Sequence, residues 1–147
     1  MENFNLNYSF GTRSEREILP TIREYFGKDI KKSADKMAKH DFYDTNGGLY
    51  ELRTRKFSCN KYPTTVVACD KYYCMTEENS KGRDLYFLFR FTDGLYYIKF
   101  TLQGFEEYKI DNNYCRNTPR QYGKGVKYDR PRPHVFIPIE HLTKINI

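Results

Sequence analysis

Lys39-His40-Asp41-Phe42-Tyr43-Asp44-Thr45-Asn46-Gly47-Gly48-Leu49-Tyr50-Glu51-Leu52-Arg53-Thr54-Arg55 is the densest candidate for chemistry in the chain, and the other segments are read around it. It reads as two short strands turning at Gly47-Gly48, since glycines between short β-prone runs mark a reversal. Asp41 and Asp44 lie on the first arm, Glu51 on the second, and Arg53, Arg55 and Lys56 follow closely. Period-two alternation puts Leu49, Glu51, Arg53 and Arg55 on one face and Tyr50, Leu52 and Thr54 on the other. The apolar set then faces a core, and the charged set faces a cleft or solvent. Exposed strands alternate in this way without any function. The acidic pair on the preceding arm is what favours a site: carboxylates on adjacent strands beside cations suit a hard divalent metal and an anionic substrate.

On the N-terminal side, residues 1–11 carry too little pattern to assign, although Tyr8-Ser9-Phe10 could pack as an arm. Thr12 or Ser14 can cap a helix running to about Phe26, with Gly27 as its stop. Ile18, Leu19, Ile22 and Phe26 fall at helical spacing, and Glu15 lies on their side while Glu17 and Glu24 point elsewhere. Pro20 implies a kink or a later start. Two readings of Glu15 stand side by side: a ligand for a metal or its water, or the acid of a capping box Thr12-x-x-Glu15. Residues 28–38 are lysine-rich and solvated in the ordinary case, with Ser33-Ala34-Asp35-Lys36-Met37 a candidate short strand.

On the C-terminal side, Phe57 to Tyr62 reads as a loop, and Pro63 fits the first position of a helix through about Glu77. The β-branched Thr64-Thr65-Val66-Val67 leaves a strand open there. Residues 77–84 are a turn-rich break. Leu85-Tyr86-Phe87-Leu88-Phe89-Arg90-Phe91 is nearly continuous apolar sequence, as expected of a strand covered on both faces. Thr92-Asp93-Gly94 then turns the chain into an antiparallel return over Leu95 to Phe100. A helical turn around Phe105, a strand at Tyr108-Lys109-Ile110, a closing strand at Val135-Phe136-Ile137 and a short helix or turn from Pro138 to Ile145 complete the reading.

A chain of 147 residues suggests one domain, with 39% hydrophobic and 30% charged residues and no low-complexity tract or repeat. Net charge is +6, which favours an acidic partner. Aromatic residues reach 17%, with 14 Tyr, 11 Phe and no Trp, a composition suited to half-buried strands or to stacking on bases. Residues 114–134 interleave Arg116, Arg120, Lys124, Lys127, Arg130, Arg132 and His134 with Tyr114, Tyr122 and Tyr128. Such a loop either grips a nucleic-acid backbone or simply keeps the surface soluble. Cys59, Cys69, Cys74 and Cys115 form no Cys-x-x-Cys pair and have no histidine at zinc spacing, so free thiols in a reducing, intracellular setting are expected. No charged-then-apolar leader opens the chain, and no run approaches about 18 apolar residues, so no membrane association is expected.

The hairpin resembles the PD-(D/E)XK nuclease superfamily, whose pattern is an acidic residue, a turn, then Glu-x-Lys on the next strand, often as Glu-Leu-Lys-Thr-Arg. His40-Asp41-Phe42 and Glu51-Leu52-Arg53-Thr54-Arg55 are the matching letters. The resemblance implies an α/β (α+β) fold with a restriction-endonuclease-like core, a central mixed β-sheet flanked by helices. It further implies a Mg²⁺ (or Mn²⁺) nuclease in which Asp41, Glu51 and the Leu52 carbonyl hold the metal. Glu15, preferred over Glu17, would come from the preceding helix to bind a second ion or a metal water. Asp44 is a rival for Asp41, and Lys61 or Lys71 would be the cation after the motif strand. Arg55, Lys56, Lys61, Arg116, Arg120, Arg130, Arg132 and His134 would contact the nucleic acid, DNA before RNA. The tyrosine-rich hairpin and the Phe136-Ile137-Pro138-Ile139-Glu140-His141-Leu142 ending are similar to small phage and large-DNA-virus members. That implies a virus-encoded protein of the host cytoplasm or virion, with a homodimer left open.

Arg53 departs from the pattern, since it stands where the family has lysine. A guanidinium can stabilise a phosphate but stays protonated and cannot act as a base. Arg53 suffices if the lysine only positions water and neutralises charge. The chain is slow or inactive if a deprotonable amine is required, and Lys56 lies on the opposite strand face. A non-catalytic relative that binds nucleic acid or a partner, or a basic viral structural protein, is therefore the competing expectation.

Overall fold

The structure is a computed structural model that describes residues 2–34, 40–114, 120–122, 125–127 and 132–146. A first helix, α1 (Glu2–Phe26), leads into β1 (Ile30–Lys32), β2 (Phe42–Asp44) and β3 (Leu49–Thr54). Next come β4 (Thr64–Ala68), α2 (Cys69–Asn79), β5 (Leu85–Phe91) and β6 (Gly94–Lys99). The chain continues through α3 (Leu102–Glu106), β7 (Ile110–Tyr114), β8 (Arg120–Tyr122), β9 (Gly125–Lys127), β10 (Arg132–Pro138) and β11 (Thr143–Lys144).

Six strands make a central mixed sheet in the order β1-β2-β3-β5-β6-β11. β3 and β5 are parallel, and every other neighbouring pair in that sheet is antiparallel. A parallel pair needs a crossover, and β4 with α2 supplies it. Helices flank the sheet. A second, antiparallel sheet runs β4-β10-β7, and β8 pairs with β9.

The apolar sequence of β5 has the consequence expected of it: Leu85, Phe87, Leu88 and Phe89 are all fully buried. Alternate residues feed two cores. On one face, Leu88 and Tyr86 join Tyr50 and Leu52 of β3, Phe42 of β2, and Ile18 and Ile22 of α1. On the other, Leu85, Phe87, Phe89 and Phe91 meet Tyr72 and Met75 of α2, Phe105, and Val67, Val135 and Ile137 of the second sheet. Each such side chain contributes about 2 kcal/mol by leaving water.

Several expectations need correction. α1 begins at Glu2, far ahead of Thr12, so Thr12 lies within the helix and is not its N-cap. Pro20 sits inside α1 on its exposed side, where water can take up the carbonyl its missing N–H leaves. A strand ahead of the hairpin forms at Ile30–Lys32, where Ile30 reaches the core; of the strand expected at 33–37, Ser33 and Ala34 are not in a strand and residues 35–37 lie outside the described residues. Pro63 opens no helix: Thr65 and Val67 face inward and the segment pairs with β10, so β-branching decides for a strand and α2 starts at Cys69. The strand expected at 108–110 starts at Ile110 instead, and the C-terminal segment ends as β11 after a short 3₁₀ turn at Ile139–His141. The reversal between β2 and β3 runs through Thr45-Asn46-Gly47, with Gly47 at φ 88°, where glycine is favoured.

Candidate active site

Asp41 sits where β2 begins. Its N–H donates to the Tyr50 carbonyl at 3.1 Å and its carbonyl accepts from Ser33 at 2.8 Å. Its Oδ2 accepts the Leu52 N–H at 2.7 Å. The carboxylate thus bonds a β3 amide beyond the reach of the short β2, and this pins it beside both Glu51 and the Leu52 peptide.

Glu51 lies on the sheet face covered by α2 and is only 2% exposed. Of the two places expected for the charged side of β3, Glu51 takes the cleft, while Arg53 and Arg55 stay partly exposed. Oε1 of Glu51 takes Nη1 of Arg53 at 3.0 Å and Nζ of Lys71, from the first turn of α2, at 3.4 Å. Its Oε2 is buried without a hydrogen-bond partner. Burial pushes the Glu51 carboxyl up to about 7; Arg53 and Lys71 oppose the rise, and the charge of Asp41 adds to it. Nη1 of Arg53 also donates to the Leu52 carbonyl at 3.0 Å, so one nitrogen spans two oxygens.

Glu15 comes from α1, on the sheet face opposite Glu51. It pairs with Lys32 at 3.2 Å. Its carboxyl is raised, first by burial and then by the neighbouring Asp41 charge, with Lys32 working against the rise. Asp41 is the common neighbour of Glu15 and Glu51. Beside Glu51 opens a cavity of about 140 Å³ between α2 and the hairpin, lined by His40, Leu49, Lys71, Cys74, Met75 and Glu78 among others. Burial holds the His40 imidazolium below its usual range.

The rival acids have other work. Asp44 accepts from the Asn46 and Gly48 amides at 2.8 and 2.9 Å and from the Tyr50 hydroxyl at 2.7 Å. It holds the turn, and those bonds lower its carboxyl despite burial. Glu17 pairs with Arg90 at 2.7 Å, which ties α1 to β5.

The expected nucleic-acid contacts are spread more widely. Arg55 donates to the Val66 carbonyl at 2.7 Å and so braces β4. Lys56 is exposed. Lys61 lies over the Phe57 and Tyr62 rings. His134 packs on Tyr114 and its Nδ1 bonds the Arg132 carbonyl, with Arg132 exposed at the start of β10. Arg120 belongs to β8 by its backbone, and Arg116 and Arg130 lie outside the described residues. Lys32 and the cavity beside His40 escaped sequence reasoning, because neither lies at a motif spacing from the acids they adjoin.

Among the described residues, no three His, Cys, Asp or Glu side chains gather as a metal-holding group. Cys59, Cys69 and Cys74 are free thiols. No described helix is long and apolar enough to cross a membrane. No family model, curated protein or solved structure matches the chain.

Proposed function

We propose that this chain is a Mg²⁺- or Mn²⁺-dependent nuclease of the restriction-endonuclease-like fold that hydrolyses DNA phosphodiesters. One observation carries the reading: buried Glu51, with an orphaned oxygen, stands beside Asp41 and two cations at a cavity wall. Arg53 and Lys71 both sit on Oε1 and leave the buried Oε2 without a partner, a polar atom whose burial is costly. An all-oxygen donor set suits a hard divalent ion. The residues fit such an ion: Asp41, Glu51 and the Leu52 carbonyl would hold it, and Glu15 would take a second ion or a bound water. Helices on either side support the resemblance too, with an acid from the one before the motif and Lys71 from the one after it.

When bound, the metal supplies Lewis acidity and a more acidic water. Hydrolysis joins the water oxygen to phosphorus and breaks one bridging P–O bond, and a proton ends on the released hydroxyl. Lys71 and Arg53 offset the charge that gathers on the phosphate oxygens. The Leu52 amide keeps Asp41 oriented, and Lys32 does the same for Glu15. The net charge of +6 favours approach to DNA through the field rather than through sequence.

Arg53 supports a second reading. Its guanidinium covers the Glu51 oxygen and the Leu52 carbonyl, an arrangement that also serves a chain that binds nucleic acid without cutting it. Incubation with supercoiled, linear, branched and single-stranded DNA plus Mg²⁺ or Mn²⁺ separates the two. Cleavage that chelation and Glu51→Ala abolish is the expected result. Salt-sensitive binding weakened at Arg132, with no cleavage of any form, would replace the nuclease by the binding protein.

A further inference from the structure

The position of Arg53 makes sense as more than a substituted lysine. A single nitrogen, Nη1, stands 3.0 Å from Glu51 Oε1 and 3.0 Å from the Leu52 carbonyl oxygen. Of the donors assigned above to the metal, the Leu52 carbonyl and one of the two Glu51 oxygens are thus covered, and Glu51 Oε2 is left open. A guanidinium keeps its charge at any ordinary pH, so it cannot share them with a divalent cation; only rotation of the side chain frees them. The Arg53 side chain is 27% exposed and the Glu51 side chain 3%. The arginine therefore has a way out to solvent, and the carboxylate does not. Lys71 approaches the same Glu51 oxygen from α2, so the departure of Arg53 does not strip Glu51 of all compensation.

We infer that Arg53 is an internal counter-cation that competes with the metal for Glu51 and the Leu52 carbonyl, and that a DNA phosphate draws it away. This rests on the nuclease reading and gives that site its regulation: metal and DNA load together. A planar guanidinium forms two parallel hydrogen bonds with a phosphate, so the substrate offers Arg53 a partner in exchange for the one it leaves. Where only a minor fraction of molecules has the oxygens uncovered, metal affinity falls by that fraction. Linkage then makes the coupling mutual, with DNA tightening metal and metal tightening DNA.

Mn²⁺ titration followed by electron paramagnetic resonance tests this without turnover. It would be run at pH 8.5 on wild type, Arg53→Met, Arg53→Gln and Glu51→Gln, each with and without a short phosphorothioate duplex. Mn²⁺ held by the duplex alone is subtracted, and melting temperatures establish that each variant is folded. The expected result is Mn²⁺ binding about 10- to 100-fold tighter in both Arg53 variants than in DNA-free wild type. Added duplex should tighten wild type by a similar factor and leave the Arg53 variants nearly unchanged. Folded Arg53 variants that bind Mn²⁺ no better than wild type would overturn the inference alone, while Glu51-dependent cleavage by wild type still upheld the nuclease. Mn²⁺ binding that Glu51→Gln leaves unaltered in every state would overturn both.

Discussion

Asp41 accepts the Leu52 N–H through Oδ2 at 2.7 Å, so one acid of the site is held by the amide of the residue that follows the other. The bond fixes the spacing of Asp41 and Glu51 through backbone rather than through a flexible side chain. Asp41→Asn retains an acceptor oxygen but loses the charge. We expect a stability cost of about 1 kcal/mol, the difference between a charge-assisted and a neutral hydrogen bond, with a loss of cleavage of about 10²-fold or more. Urea unfolding and a cleavage assay on the same preparation check both. A variant that cuts DNA at the wild-type rate would remove Asp41 from the site.

Glu51 sets a pH dependence. Its carboxyl lies at about 7 in the folded protein, above the ordinary 4.5, chiefly through burial. Between those values the folded state keeps a proton that the unfolded chain has released. Its contribution is complete below the unfolded value and is lost as pH rises through about 7. The loss is about 3 kcal/mol at most. Glu51→Gln cannot ionise, so its stability should fall less than that of wild type from pH 5 to 8, as denaturant titrations at several pH values would read. Parallel curves for the two proteins would contradict the burial of a titrating acid.

Glu15 and Glu17 are separable by function. Glu15 adjoins Asp41, whereas Glu17 holds Arg90, a pair in which both side chains are partly exposed. Glu17→Ala should cost about 1 kcal/mol or less and leave cleavage within about threefold, since it touches none of the reacting groups. Glu15→Ala should lower cleavage at least about tenfold with little change in melting temperature. The reverse pattern would exchange their roles.

Asp44 has a structural prediction of its own. Asp44→Ala strips the acceptor from two amides and the Tyr50 hydroxyl and should cost about 3 kcal/mol. The Asp44 carboxyl is lowered in the folded state, so its contribution is present above the unfolded value and is lost as pH falls through the folded one. Gly48→Ala should be destabilising by a related route, because an added Cβ would overlap the Asp44 carboxylate. Thermal melts of the two variants, alone and combined, should show less than additive losses. Strict additivity would mean that the two positions act separately.

Much of this was legible from residue order. The run Leu85 to Phe91 and its return strand announced themselves through apolar continuity and a Thr-Asp-Gly reversal, and the helical face of Ile18, Ile22 and Phe26 through spacing. The hairpin acids were legible as a group. Their division of labour was not, because it depends on contacts across the chain: Asp44 on Tyr50, Glu17 on Arg90, Lys32 on Glu15. The helix expected after Pro63 failed where pairing with β10 overrode the proline signal. The α1 start at Glu2 was invisible because the residues before Thr12 carry no clear apolar period. Whether Glu51 faced a cleft or solvent stayed open for a simple physical reason. Alternation tells which residues share a face of a strand, but not whether a helix covers that face.

On the proposed function, Glu51 and its neighbours cut DNA with a bound divalent metal. The most direct test is nicking of supercoiled plasmid by wild type and Glu51→Gln in Mg²⁺, with melting curves establishing that both are folded. Wild type should nick the plasmid until chelation stops it, and the variant should lose at least about 10²-fold. Equal nicking by the two folded proteins would contradict it.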